Sequence, residues 1–71
     1  MTMTATPLTG RDVAAERTRH NVSQKDVADH LGIAATHLSV VETGQIEATQ
    51  EWLTRCIETV RSIAASRKTA A

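Results

Sequence analysis

Twenty residues, 24–43, restrict the fold more than any other part of the sequence. Their apolar side chains recur at spacings that suit the inner faces of two short helices: Val27, Leu31, Ile33, Leu38 and Val41. Ala28 is small where two helices that cross at a steep angle would come closest, and Gly32 permits the positive φ that a tight turn requires. These seven positions together predict two short helices joined by a tight turn.

Helix start and stop signals support this division of the chain. A first helix is predicted over about 9–20, and Asn21 suits the left-handed conformation that ends a helix. Ser23, followed three residues later by Asp26, is a capping-box variant that opens a second helix. The third helix is predicted over about 35–43, beyond the turn glycine.

A single small domain is expected, because 71 residues supply material for only one core. Residues 1–7 are predicted to form a flexible arm and residues 67–71 a flexible tail. Between them, residues 8–66 form the domain, and its last stretch, about 49–66, repeats apolar residues at helical spacing without Gly or Pro. The predicted fold is all-α, a compact bundle of four to five helices with a helix-turn-helix at 24–43.

Composition argues against several classes of function. No apolar run approaches the length of a membrane span, and the first residues lack the pattern of a signal peptide, so a cytoplasmic protein with no membrane partner is expected. The lone Cys56 excludes an internal disulfide and is interpreted as a core residue. The three His residues and Cys56 match no zinc-ligand spacing, and no acid or nucleophile has a recognisable spacing to a histidine. We therefore expect no metal, no cofactor and no enzymatic activity.

Two short motifs resemble those of the Xre family, the helix-turn-helix domains of the lambda-repressor and Cro type. Residues 23–33 read SQKDVADHLGI, similar to the family's S-Q-x-x-L-A-x-x-L-G-V, and residues 41–44 read VETG, similar to its I-E-x-G. The resemblance covers roughly residues 11–63. In that family an Arg at the place of Arg17 pairs with the Glu before the second glycine, which implies an ion pair between Arg17 and Glu42.

The resemblance also implies that the third helix enters the major groove of double-stranded DNA and reads base edges from its first turn and one turn later. The implied base-reading positions are Ala35, Thr36, Ser39 and Val40. Contacts to the DNA backbone are implied for Gln24, Thr43 and Gln45. His37 could contact either a base edge or the backbone.

The third helix departs from the family pattern in ways that predict weak DNA binding by a single copy. Ala34 at its N-cap offers no hydrogen-bond acceptor, and no base-reading residue is Arg, Lys, Asn or Gln. The net charge is zero, and residues 1–47 contain four basic and six acidic residues. The basic residues near the end of the last helix are interpreted as a solvated helix end: Arg61, Arg67 and Lys68. Because neutralised phosphates supply most non-specific affinity, a homodimer is expected.

The last helix is expected to supply the dimer interface. Its apolar stripe must in part cover the first three helices. Beyond that cover, the stripe favours a two-fold contact through Cys56, Val60 and Ile63. Such a dimer would set two recognition helices roughly 34 Å apart and predicts a palindromic operator. The predicted function is that of a Cro-like transcriptional repressor whose partner is double-stranded DNA, with no small-molecule ligand.

The residues leave a second function open. The chain could instead be a protein–protein interaction module that keeps the helix-turn-helix fold, with DNA binding that is weak or depends on a partner. The absence of basic residues among the base-reading positions favours this alternative. Gln24, Thr36 and Ser39, as polar residues on the exposed face, favour DNA binding.

Overall fold

Four helices make up the part of the chain that the structure, a computed structural model, describes, namely residues 7–69. They are α1 Gly10–His20, α2 Gln24–Leu31, α3 Ala35–Glu42 and α4 Gln50–Thr69. These residues contain no strand, so the prediction of an all-α fold is confirmed. Residues 1–6 of the predicted arm and residues 70–71 of the predicted tail lie outside the described residues.

The turn from α1 to α2 follows from the backbone conformation of Asn21, which is left-handed with φ 57° and ψ 44°. The backbone N–H groups of Asn21 and Val22 donate to the carbonyl oxygens of Thr18 and Arg17, at 3.1 and 2.9 Å. This pair of hydrogen bonds is a Schellman motif, which commonly buries the apolar residue that follows. Val22 is accordingly buried in the core.

The two helices of the motif lie close to their predicted bounds, but only one half of the predicted capping box of α2 is present, because the Asp26 carboxylate binds Arg67 instead. The Ser23 hydroxyl accepts a hydrogen bond from the backbone N–H of Asp26 at 3.1 Å, and Gly32 ends α2 with a φ of 72°. Ala34 precedes α3 and makes no side-chain cap, so the first N–H groups of α3 lack that acceptor. The exposed N-terminus of α3 therefore has backbone donors that no capping side chain satisfies.

The core lies where all four helices meet. Every helix supplies at least one side chain that is fully removed from solvent: Val13, Val27, Leu38, Cys56 and Val60. Burying a Val or Leu side chain contributes roughly 1.5–3 kcal/mol. Since α2 and α3 have eight residues each, neither encloses its own apolar face. The longer α4 packs against α1 and α2 and completes the core.

The burial of the three residues predicted for the dimer interface contradicts that assignment. Cys56 and Val60 are 0% exposed and Ile63 is 7% exposed, all within the core of a single chain. The stripe on α4 looked larger than one small core needs because both α1 and α2 pack against it. Packing within the chain covers these three side chains, so they have no surface left for a second copy.

Helix α4 also extends further than the sequence predicts, since it ends at Thr69 rather than near residue 66. Residues 67–69 are therefore helical instead of belonging to a flexible tail. The physical reason is Arg67, whose guanidinium donates to the Asn21 carbonyl oxygen at 2.9 Å and to the Asp26 carboxylate at 2.8 Å. These two hydrogen bonds attach the end of α4 to the junction between α1 and α2.

Candidate nucleic-acid interface

The outer face of α3 presents the residues that the sequence assigns to DNA contact. Thr36 and His37 are exposed, whereas Ser39 is half-buried and Leu38 between them is fully buried. Ala35 and Val40, the other assigned base-reading positions, are also half-buried. The helix thus has one face in the core, and its opposite face carries polar and small apolar side chains that are exposed or half-buried.

The C-terminal end of α3 continues this accessible surface. Thr43 and Gln45 are exposed, and the Thr43 hydroxyl donates to the carbonyl oxygen of Val40 at 3.1 Å. The backbone N–H of Gln45 donates to the same carbonyl at 3.0 Å. These bonds fix the backbone of the turn while leaving the Gln45 side chain at the surface. Both residues lie where the sequence analysis expects contacts with the DNA backbone.

A buried carboxylate holds the inner side of α3. Glu42 is 6% exposed, and its Oε2 accepts from Nε of Arg17 at 2.9 Å while its Oε1 accepts from Nη2 of the same side chain at 2.9 Å. The remaining Nη1 of Arg17 donates to the Val22 carbonyl oxygen at 3.0 Å. The predicted ion pair is therefore present as a two-pronged contact, the geometry in which guanidinium and carboxylate bind most strongly. The Arg17 side chain thereby joins α1, the α1–α2 turn and α3.

Gln24 belongs to the same cluster rather than standing free on the DNA side. Its Nε2 donates to Oε1 of Glu42 at 2.9 Å, and the side chain is half-buried. Glu42 therefore accepts three side-chain hydrogen bonds from α1 and α2. We call Arg17, Gln24 and Glu42 the Glu42 cluster. One N–H of the Gln24 amide is thus used within the protein, and contact of its second N–H with a phosphate stays a prediction.

His37 and Trp52 form the contact between the exposed face of α3 and the start of α4. Their ring centroids lie 5.7 Å apart and their planes are 89° to each other, an edge-to-face arrangement. Trp52 is half-buried and packs against the core, whereas His37 is exposed. The contact restricts the direction of the His37 ring on the surface assigned to DNA.

A second buried carboxylate joins α1 to α4. Glu16 is 7% exposed, and its Oε2 accepts from Nε of Arg61 at 2.9 Å and lies 3.1 Å from Nε2 of His20. Arg19 adds a longer contact of 3.6 Å to Oε1. The hydrogen bond from Arg61, more than any other interaction, lowers the pKa of Glu16 below its ordinary value, and burial opposes this effect. The carboxylate is thereby kept ionised inside the helix interface.

The positive charge near the start of α2 is partly neutralised. Nζ of Lys25 lies 3.0 Å from Oδ2 of Asp29, and both side chains are largely exposed. The Asp29 carboxylate raises the pKa of Lys25 through this hydrogen bond. A cation in an exposed pair can exchange its partner for a phosphate at little cost, since such pairs are worth roughly 0–1 kcal/mol. The pair therefore adds little to the stability of α2.

Two grooves of about 390 and 250 Å³ flank Ile46 in the loop after α3, and their lining is mostly apolar. Across residues 7–69, no three His, Cys, Asp or Glu side chains converge as metal ligands. In the same part of the chain, no helix is long and apolar enough to cross a membrane.

Sequence reasoning missed the partners of two of the three arginines on α4. Arg61 and Arg67 were expected to be solvated, yet they bind Glu16 and Asp26 at sequence separations of 45 and 41 residues. No local spacing signals such a pair, because helix rules relate residues only three or four positions apart. The capping-box prediction assigned the Asp26 carboxylate to the start of α2, whereas this carboxylate accepts from Arg67.

Comparison with known families agrees with this architecture. The helix-turn-helix family model matches residues 13–60, about two thirds of the chain and most of the four-helix arrangement. No curated protein and no solved structure gives a significant match. The chain therefore belongs to the helix-turn-helix family of the Xre, or lambda-repressor, type, whose fold is that of DNA-binding transcription regulators.

Proposed function

We propose that this chain is a sequence-specific transcription regulator that inserts α3 into the major groove of a palindromic operator, binds it as a homodimer and acts as a Cro-like repressor. The observation that carries the proposal is the accessible outer face of α3, held from behind by the Glu42 cluster. A recognition helix must keep one orientation for its side chains to meet base edges.

The chemistry of that face favours base contacts of a particular kind. The hydroxyls of Thr36 and Ser39 each donate or accept a hydrogen bond, which suits several bases. The methyl groups of Ala35, Val40 and Thr36 suit the methyl group of thymine. We therefore expect half-sites in which thymine methyl contacts contribute more than the two-pronged guanine contacts that arginine makes.

Charge supports the homodimer. The described part of α3 has Glu42 as its one charged residue, and that carboxylate is buried and paired. A single copy therefore neutralises few phosphates, and a second copy doubles the number of contacts. The two-fold axis of such a dimer accounts for the expected palindrome. Its interface lies outside the core stripe of Cys56, Val60 and Ile63.

Selection from random duplex DNA tests the proposal. The purified protein is incubated with a random library at near-physiological salt, and the retained DNA is sequenced. We expect an enriched inverted repeat with half-sites about one helical turn apart. Sedimentation with the selected duplex should then give two chains per site. A promoter that overlaps the site should lose transcription in vitro when the protein is added.

Paired substitutions separate base reading from folding. Thr36→Ala with Ser39→Ala should abolish the sequence preference, because both hydroxyls leave the outer face of α3. The matched control, Thr54→Ala with Ser62→Ala, removes the same groups from exposed positions of α4 and should keep the preference. An unchanged preference in the α3 variant would contradict the proposal.

One observation favours the alternative of a protein–protein interaction module. The outer face of α3 carries no Lys or Arg, so it could dock on another protein without the repulsion that a basic surface would bring. This reading predicts no enriched DNA sequence and a retention that disappears as salt rises modestly. The selection experiment therefore distinguishes the two functions.

A further inference from the structure

The start of α1 lies directly against the end of the recognition helix. Gly10, the first residue of α1, has no side chain, and a Cβ built on it would overlap the carbonyl oxygen of Val41. The same Cβ would lie 2.7 Å from the Val41 carbonyl carbon and 2.9 Å from Cα of Glu42. All three atoms belong to the backbone, so no rotation of a side chain can make room.

The contact concerns the same turn of α3 that carries the Glu42 carboxylate. Arg17 reaches this carboxylate from a position seven residues further along α1, roughly 10 Å at the rise of an α-helix. α1 therefore holds the last turn of α3 in two ways, by backbone contact at Gly10 and by the ion pair at Arg17. Two separate attachments restrict the tilt and depth of a helix, whereas one would leave it free to pivot.

We infer that Gly10 is a positioning residue for DNA recognition, in that the missing side chain sets how far α3 stands out from the domain. This inference rests on the proposed function. A methyl group at Gly10 must push the last turn of α3 away from α1. Because a short helix moves as a unit, the displacement reaches Thr36 and Ser39. Hydrogen bonds to bases tolerate only a few tenths of an ångström in length.

Two substitutions on α1 test the inference. Gly10→Ala places a methyl group against α3. The control, Ala15→Gly, removes a methyl group from an exposed position of the same helix and so displaces no neighbour. Both variants should melt at a lower temperature than the wild type, the control through the low helix propensity of glycine. Affinity for the selected operator is then measured at a temperature where each protein is fully folded.

We expect Gly10→Ala to weaken operator binding by ~10-fold or more, which corresponds to the loss of about one good base contact. Ala15→Gly should stay within ~2-fold of the wild type, since the loss of an exposed methyl group moves no neighbouring backbone. A purely structural role of Gly10 would lower the melting temperature and leave the affinity of the folded protein unchanged. Equal affinities for the two variants would therefore overturn the inference.

A readout without DNA separates this inference from the proposed function. Amide chemical shifts of residues 35–42 should change in Gly10→Ala and stay close to wild type in Ala15→Gly. If the wild type enriches no DNA sequence, the proposed function fails, while these shifts still test the displacement of α3. Unchanged shifts in Gly10→Ala would show that α3 has not moved and would overturn the inference.

A stabilising osmolyte allows the test to proceed if Gly10→Ala does not fold in buffer. Should Gly10→Ala be unfolded in buffer, all three proteins are compared in trimethylamine N-oxide, which favours compact states. A Gly10→Ala chain that folds there and shows displaced α3 amides supports the inference. A chain that stays unfolded overturns it, because the glycine would then be required for folding itself rather than for the placement of α3.

Discussion

The guanidinium of Arg17 and the carboxylate of Glu42 meet through two hydrogen bonds of 2.9 Å, with the carboxylate side chain only 4% exposed. Gln24 adds a third hydrogen bond to the same carboxylate. The buried carboxylate of Glu42 on α3 thereby connects α3 to Arg17 on α1 and to Gln24 on α2. An arrangement of this kind specifies geometry, because the charge is stable only while its partners stay in place.

Arg17→Ala should destabilise the protein far more than Arg19→Ala. Removing Arg17 leaves Glu42 charged and buried, which costs ~3–5 kcal/mol. Arg19 is 70% exposed and lies 3.6 Å from Glu16, so its removal should cost less than ~1 kcal/mol. Thermal unfolding followed by circular dichroism measures both. Equal melting temperatures would show that the Arg17–Glu42 pair does not hold α3.

The stability of the protein should depend on Glu16 at acidic pH. Its pKa in the folded chain lies below the ordinary value of 4.5, chiefly through the hydrogen bond from Arg61. A lowered folded-state pKa gives stability that is present above the unfolded pKa and is lost as pH falls through the folded pKa. The free energy of unfolding in urea should therefore decrease from about pH 5 downward.

Glu16→Gln should flatten that decrease, because the amide does not titrate. Glu58→Gln is the matched control, since Glu58 is exposed on α4 and its replacement should leave the acid dependence as it is in the wild type. Urea titrations at several pH values between about 3 and 7 compare the three proteins. A wild-type slope retained in Glu16→Gln would assign the acid sensitivity to other carboxylates.

Cys56 should resist thiol reagents in the native protein. Burial, with a smaller contribution from the charge of Glu42, raises the pKa of Cys56 to about 11, and the side chain is 0% exposed. The thiolate is the reactive form, so both effects slow modification. Labelling with a disulfide reagent at neutral pH should proceed only as the chain unfolds and should accelerate in urea. Rapid labelling without urea would contradict the burial of this part of α4.

Arg67→Ala should loosen the end of α4 without unfolding the domain. The Arg67–Asp26 pair is about half exposed on each side, so its loss should cost no more than ~1 kcal/mol. Hydrogen exchange of the amides in the last turn of α4 should increase, while core amides keep their protection. Arg55→Ala, an exposed change on the same helix, is the control. Equal exchange in the two variants would argue against the attachment.

Operator binding should depend only weakly on salt. Affinity changes with salt by a logarithmic slope of ~0.9 per neutralised phosphate, and six or more contacts cost ~10³-fold between ~50 and ~200 mM. With few basic residues near α3, we expect a loss below ~10²-fold over that range. Glu47→Lys, in the exposed loop after α3, should steepen the slope. A wild-type loss of ~10³-fold or more would indicate phosphate contacts from basic residues elsewhere in the chain.

Local signals predicted the helices of the motif well. Asn21, Ser23 and Gly32 act through their own backbone or through neighbours within three residues, which is the range over which sequence patterns are informative. The Arg17–Glu42 pair spans 25 residues, and it was accessible only through the family resemblance, which supplies long-range pairs that spacing does not.

Contacts formed by the fold as a whole could not be predicted in this way. The stripe on α4 has the same spacing whether it covers other helices or a second copy, so Cys56, Val60 and Ile63 were assigned to the wrong partner. The partners of Arg61 and Arg67 depend on how α4 lies across α1 and α2, which is a tertiary property. Likewise, no sequence pattern marks Gly10 as a contact residue, because its contact is with the backbone of Val41 and Glu42 in a distant helix.

Trp52 touches His37 edge to face, so the fluorescence of Trp52 is sensitive to what happens at the outer face of α3. The sequence contains one Trp and no Tyr or Phe, so its near-ultraviolet absorption and emission come from this single indole. Because the ring touches a residue on the outer face of α3, emission should change when that face is covered by DNA or by another protein. Binding and unfolding can thus be followed at one native position without attaching a dye.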